Sequence, residues 1–220
     1  MLKFGIQLLL AAVILLVLIF VFLTRLLLVL RAGSTHKPGK TGPLTVFTVA
    51  GSGGHTTEIL RLLGSLSQSY SPTHYIMADS DKMSEDKICS FERSRGKQSS
   101  KFQYFIHRIP RSREVRQSWS SSVLTTLRSL LYSLPLTFRL KPDLVLCNGP
   151  GTCVPVCASA VLLGILGIKK VIIIYVESIC RVENLSLSGR ILYHFSDYFI
   201  VQWPVLKEKY PKSVYLGRIV

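Results

Sequence analysis

Positions 4–24 are apolar on every side of a helix. Phe4 to Thr24 carries no charge and is nearly all Leu, Ile, Val, Phe and Ala. About 21 such residues at a 1.5 Å rise span roughly 30 Å, the hydrocarbon thickness of a bilayer. A cleaved signal peptide is the alternative. Its apolar region is only about 7–15 residues and ends in a small-residue cleavage site. Here Arg25 and five further apolar residues follow. The pattern therefore predicts a membrane anchor over 1–31, a linker over 32–43 rich in Gly, Lys, Thr and Pro, and one domain over 44–220.

From Leu44 the pattern changes to short apolar runs alternating with helical periodicity. Leu44–Val49, His74–Ala78, Phe102–Ile109, Asp143–Cys147, Lys170–Val176 and Tyr198–Val201 read as strands. Ile59, Leu62, Leu63 and Leu66 recur at helical spacing. Trp119–Leu140 reads as a helix whose Val123, Leu127, Leu130, Leu131, Leu134 and Phe138 share a face, with Pro135 expected to kink or split it. Val154–Ile168 is short for a second span, contains Gly164 and Gly167, and is followed by Lys169-Lys170, so it reads as a buried core helix. Runs such as VIIIYV are apolar on both sides, as in a parallel sheet covered by helices. The expectation is a Rossmann-like, doubly wound α/β domain behind one transmembrane helix.

Charge narrows the partners. The 220 residues hold 27 basic and 12 acidic groups, a formal net charge of +15. Such a balance favours an anionic partner: nucleic acid, a membrane surface or a phosphorylated substrate. A membrane anchor makes nucleic acid the poorest of the three. Lys3 lies before the span, whereas Arg25, Arg31, Lys37 and Lys40 follow it, which places the domain in the cytosol. The sequon Asn184-Leu185-Ser186 would then stay unmodified. Arg93 to Arg116 is strongly basic, with Phe102, Tyr104, Phe105 and Trp119 in or beside it. It reads either as a solvated face or as a contact for an anionic leaflet or a diphosphate. Cys147, Cys153, Cys157 and Cys180 lack metal-ligand spacing and read as small buried residues in a reducing compartment.

The candidate chemistry lies in the turns after the strands. Gly51-Ser52-Gly53-Gly54-His55-Thr56 joins a strand to a helix N-terminus, where unpaired N–H groups and the helix dipole favour phosphate. It is not a dinucleotide fingerprint, since Thr56 stands where the third glycine belongs. Asp79 could imitate that motif's ribose-binding acid, which keeps a nicotinamide oxidoreductase as a rival. It is not a Walker A loop either. A plain tight turn is the bland reading. His55 reads equally as an inert capping residue or as a base that the helix N-terminus keeps neutral. A second turn, Asn148-Gly149-Pro150-Gly151-Thr152, echoes the first. Glu177 follows the VIIIYV strand and could serve as a base or a sugar-hydroxyl acceptor, or be a solvated loop carboxylate.

The anchor, VAGSGGHTTEILRLL, CNGPGTCVP and YVESICRVENLSLSGR together resemble one family. It is the membrane-anchoring subunit of the two-chain UDP-N-acetylglucosamine transferase of the dolichol pathway, itself similar to the acceptor half of GT-B glycosyltransferases. The resemblance implies residence on the cytosolic face of the endoplasmic reticulum. It implies a soluble partner carrying the UDP-GlcNAc site, and addition of the second N-acetylglucosamine to dolichyl-diphospho-GlcNAc. By that resemblance Gly51, Ser52, Gly53, Gly54, Thr56, Gly149 and Gly151 would receive the acceptor diphosphate. His55, and less clearly Glu177, would be catalytic. No cofactor or metal is expected on this chain itself. The chain ends at Leu216–Val220, soon after the last predicted strand, whereas a GT-B enzyme continues into a second Rossmann-like domain. The expectation is half an enzyme, with the C-terminal tail as a docking segment. A scaffold with a vestigial loop is the rival from another class.

Overall fold

The structure is a computed structural model that describes residues 2–31, 42–98, 102–114 and 117–220. Most of the expected linker, Lys37, Lys40, Lys101 and Arg116 lie outside them. Among the described residues, seven strands form one sheet: β1 (Val46–Val49), β2 (Thr73–Ala78), β3 (Tyr104–Ile109), β4 (Leu144–Asn148), β5 (Ile172–Val176), β6 (Tyr198–Val201) and β7 (Val214–Tyr215). Their order is β3-β2-β1-β4-β5-β6-β7, and every neighbouring pair is parallel. The chain winds outward from β1 in one direction and from β4 in the other. The order therefore reverses between those two strands, where a doubly wound sheet opens its ligand crevice. The two-residue β7 was invisible in the pattern because it is too short to show alternation.

Two cores flank the sheet. One gathers Phe47, Val145, Ile173, Tyr175 and Phe199 beneath α5 (Cys153–Ile165). The other holds Ile59, Leu63, Tyr75, Met77 and Ile88 beneath α2 (Gly54–Gly64) and α3 (Lys82–Gln98). Helix α3 was not predicted, and its inner face explains why. That face carries Ser84, Ile88, Glu92 and Arg95, all buried. Arg95 Nη1 donates to Glu92 Oε1 at 2.8 Å, and the Tyr75 hydroxyl donates to the same carboxylate. A helix face satisfied by polar pairs leaves no apolar period to read.

Helix α4 (Trp119–Leu140) is not split at Pro135, and the face it buries is not the one its leucines share. Ser122, Ser129, Ser133 and Thr137 are buried, whereas Val123, Leu127 and Leu131 are 66 %, 51 % and 62 % exposed. The reason is close packing of α4 on α5. Ser133 Oγ and Ser159 Oγ lie 2.9 Å apart and both donate to Pro155 O. Small hydroxyl residues allow that approach, and the leucine stripe is left outside.

Helix α1 (Leu2–Arg31) is long and apolar enough to cross a membrane by itself. Its C-terminal end is fastened to the domain. Leu26 and Val29 pack on the first core. Arg25 Nε donates to Ile165 O at 3.0 Å, and Lys170 Nζ donates to Val29 O at 3.0 Å and to Asp197 Oδ1 at 2.9 Å. Arg25 thus satisfies a free carbonyl at the end of α5, where a cation also complements the dipole. Helix α5 is mostly buried, as expected, but stops at Ile165 rather than Ile168 because Gly167 turns the chain at φ 73°. The short helices α6 (Leu187–Leu192) and α7 (Pro204–Lys209) complete the chain.

Candidate active site

The two glycine turns follow β1 and β4, which lie side by side at the point where strand order reverses. The register pairs Val49 with Cys147, so Gly51 and Gly149 emerge next to each other. Each glycine is required by the other loop. A Cβ on Gly51 would meet Pro150 at 2.7 Å, and one on Gly149 would lie 2.3 Å from His55 Cε1. Gly149 also has φ 75°, a conformation that favours glycine. The His55 ring is therefore seated on the second loop.

His55 is oriented by residues that sequence reading did not single out. Its Nδ1 lies 3.2 Å from Asn148 Oδ1 and 3.9 Å from Glu58 Oε2. Asn148 Nδ2 donates to Val176 O at 3.3 Å, which turns Oδ1 toward the imidazole. An acceptor at Nδ1 holds the neutral ring's proton there and leaves the lone pair on Nε2. Glu58 is the main influence raising the imidazole above its ordinary 6.5; burial opposes it, while Asn148 and Glu177 add to it. The Glu58 carboxylate thus acts against the helix N-terminus, which alone favours the neutral ring. Burial pushes Glu58 up, but His55, Asn148 and Ser178 together hold it below the usual carboxylate value. Its place three residues after His55 on one helix was the available signal.

A cavity of about 740 Å³ opens on this crevice. Gly51, Ser52 and His55 form one side of its mouth, and Gly149, Gly151 and Thr152 another. Arg111, Arg113 and Arg181 bring positive charge to it, with Asp81 and Glu114 as the acidic residues of the wall. Arg113 lies 4.6 Å from the centre of the Trp119 ring, which fixes its approach. The basic stretch expected to act as one surface is divided. Arg95 is buried against Glu92, and Arg108 pairs with Glu85 at 2.5 Å, whereas Arg111 and Arg113 line the cavity, Arg111 with its Nε 3.5 Å from Glu114 Oε1 and donating to Ser80 Oγ at 3.2 Å.

Other expected site residues lie elsewhere. Gly53 and Gly54 are exposed but do not line the cavity; Gly53 O accepts from Lys87 Nζ at 3.2 Å. Thr56 is fully buried and donates to Gly51 O, while Ser84 Oγ donates to the same carbonyl at 3.0 Å. Its hydroxyl braces the loop from beneath. Glu177 is fully buried too, and so is neither a solvated loop carboxylate nor part of the cavity wall. It accepts from Ser186 N at 3.0 Å, Ser186 Oγ at 3.1 Å and Ser178 N at 3.2 Å. Burial raises its pKa despite those bonds. Its geometry is that of a strut, because it ties the turn after β5 to the start of α6. Cys147, Cys153 and Cys157 are buried as expected, and burial raises the Cys147 and Cys153 thiols; Cys180 is exposed instead.

Residues 46–219 match the family described as "Oligosaccharide biosynthesis protein Alg14 like". The chain belongs to the Alg14 family. It is 72 % identical over 180 residues to the human UDP-N-acetylglucosamine transferase subunit ALG14, covering 80 % of this chain and 83 % of that protein. It is 43 % identical over 203 residues to the subunit of that name from Yarrowia lipolytica, covering 90 % and 93 %. Among solved structures, Acinetobacter baumannii MurG superposes with a TM-score of 0.55 at 17 % identity, over 80 % of this chain and 45 % of MurG. A putative UDP-N-acetylglucosamine 2-epimerase from Listeria monocytogenes gives 0.57 at 13 %, over 78 % and 42 %. The chain thus spans less than half of these two structures. At such identities the likeness is one of fold, and the Alg14-family domain has the GT-B-like, Rossmann-type architecture that the sequence led us to expect.

Proposed function

We propose that this chain is the acceptor-side, membrane-anchored subunit of a UDP-GlcNAc transferase. In this reading α1 holds the domain on the cytosolic face of the endoplasmic reticulum. A soluble partner brings UDP-GlcNAc, and the acceptor is dolichyl-diphospho-GlcNAc. The observation that carries the proposal is the seating of the oriented His55 ring between two glycine turns, at the mouth of an arginine-lined cavity. Names of close relatives support the transferase class. The acceptor diphosphate lies against Gly51, Ser52, Gly149 and Gly151, opposite Arg111, Arg113 and Arg181. His55 Nε2 takes the proton from the acceptor sugar's 4-hydroxyl. That oxygen attacks the donor's anomeric carbon from the face opposite UDP. The carbon–phosphate-oxygen bond breaks, UDP leaves with the electron pair, and a β-1,4 linkage forms.

The pH dependence of the reconstituted two-chain enzyme tests this assignment. A base works when deprotonated, so kcat/KM should rise with pH along a limb centred above 6.5. Glu58→Gln removes the main group that raises the His55 value. The limb should therefore move to lower pH in that variant, with a lower plateau from the weaker base. An unmoved limb would remove His55 from the proton transfer.

A further inference from the structure

A second cavity, of about 310 Å³, adjoins the one at the glycine turns along α5, and the two share Leu130, Val154, Ala158 and Ile191. The floor is α5. One wall is Leu130 and Leu134 of α4, both half-buried, and the other is α6. Phe22 and Leu26 of α1 line this cavity as well. Every residue lining this second cavity is apolar, whereas three arginines line the first. The passage therefore grades from cationic at His55 to wholly apolar at the helix that is fit to cross a membrane.

We propose that this passage holds the isoprenoid chain of the lipid acceptor, threaded from the glycine turns toward α1. The proposal rests on the acceptor reading above and adds the tail subsite to it. The all-apolar lining favours an alkyl chain over an extended protein segment. An extended peptide would bring N–H and C=O groups that an all-apolar wall leaves unpaired. Val154 to Ile165 extends about 17 Å at a 1.5 Å rise, a reach suited to several isoprene units. Ala158 is exposed at the floor where its neighbours Cys157 and Ser159 are buried, so its small side chain leaves the passage open.

The test uses the full-length chain with its partner in detergent micelles. Two synthetic diphospho-GlcNAc acceptors are compared, one on a long isoprenyl chain and one on a single isoprene unit. The wild type should prefer the long chain, and Ala158→Phe should cut the long-to-short ratio of kcat/KM by roughly tenfold, the effect of losing about two methylene contacts. Ile191→Asn, on the α6 wall, should act in the same direction. A long acceptor with a diazirine in its third isoprene unit should label α4, α5 or α6. Equal use of both acceptors, an unchanged ratio in both variants, or label confined to the lipid-facing side of α1 or to the partner chain would each overturn the tail subsite. Transfer to neither acceptor by the wild type would overturn the acceptor reading itself.

Discussion

Replacing His55 with Ala should lower transfer by about 10² to 10⁴-fold, the range for loss of a positioned general base. Membrane insertion should persist, because α1 and its contacts at Ile165 and Lys170 lie far along the chain from the substitution. The loss should appear in kcat more than in KM. His55 is one of several groups at the cavity mouth, and the turn backbones and three arginines remain to hold the diphosphate. The ring is 35 % exposed, so its removal leaves no buried void and stability should change little. Single-turnover transfer by the reconstituted pair, with thermal unfolding of the same preparation, separates the two effects. Undiminished turnover would favour the scaffold reading, in which the partner performs all the chemistry.

Gly149→Ala should be nearly as damaging, although the residue carries no reactive group. A Cβ there would lie 2.3 Å from His55 Cε1 and 2.5 Å from Nδ1. The ring must leave its seat, and displacement of a catalytic group by about 1 Å can cost on the order of 10²-fold. A left-handed backbone adds about 1–2 kcal/mol of strain for a residue with a Cβ. The variant should thus combine a modest drop in unfolding temperature with a large fall in kcat. Gly53→Ala provides the contrast. It shares the positive φ, but its Cβ meets nothing within 4 Å, so it should show the strain without the catalytic loss. Equal activity loss in both variants would show that backbone strain, not the seat of the ring, is responsible.

The fold was legible wherever burial is two-sided. The runs at β1, β4 and β5 are apolar on both faces because helices cover both faces of the sheet, and such runs cannot be confused with polar alternation. Helices α4 and α5 were likewise visible from periodicity. What periodicity could not tell was the direction of α4. Its leucines share one face, but it is the serine face that packs inward, since small residues let two helix backbones approach closely. Val123, Leu127, Leu130 and Leu134 of that stripe line the two cavities. Glu177 illustrates another limit. A carboxylate after a parallel strand points to the crevice by topology alone, yet three hydrogen bonds from Ser178 and Ser186 draw this one inward. Asn148 and Glu58 escaped notice because their relation to His55 depends on β4 lying beside β1 and on one turn of α2, and neither is a sequence motif. The C-terminal tail is also more engaged than expected. Ile219 and Val220 pack on the second core and Ile219 N donates to Gln202 Oε1 at 2.9 Å, while Leu216 stays exposed.

The most direct test of the acceptor site places a photoreactive group on the N-acetyl of the diphospho-GlcNAc acceptor. The probe is irradiated with the assembled enzyme, and the labelled peptides are identified. Labelling should concentrate on Gly51–His55 and Gly149–Thr152 and disappear when unmodified acceptor competes. Label carried only by the partner chain, with these two turns unmarked, would contradict an acceptor site between β1 and β4.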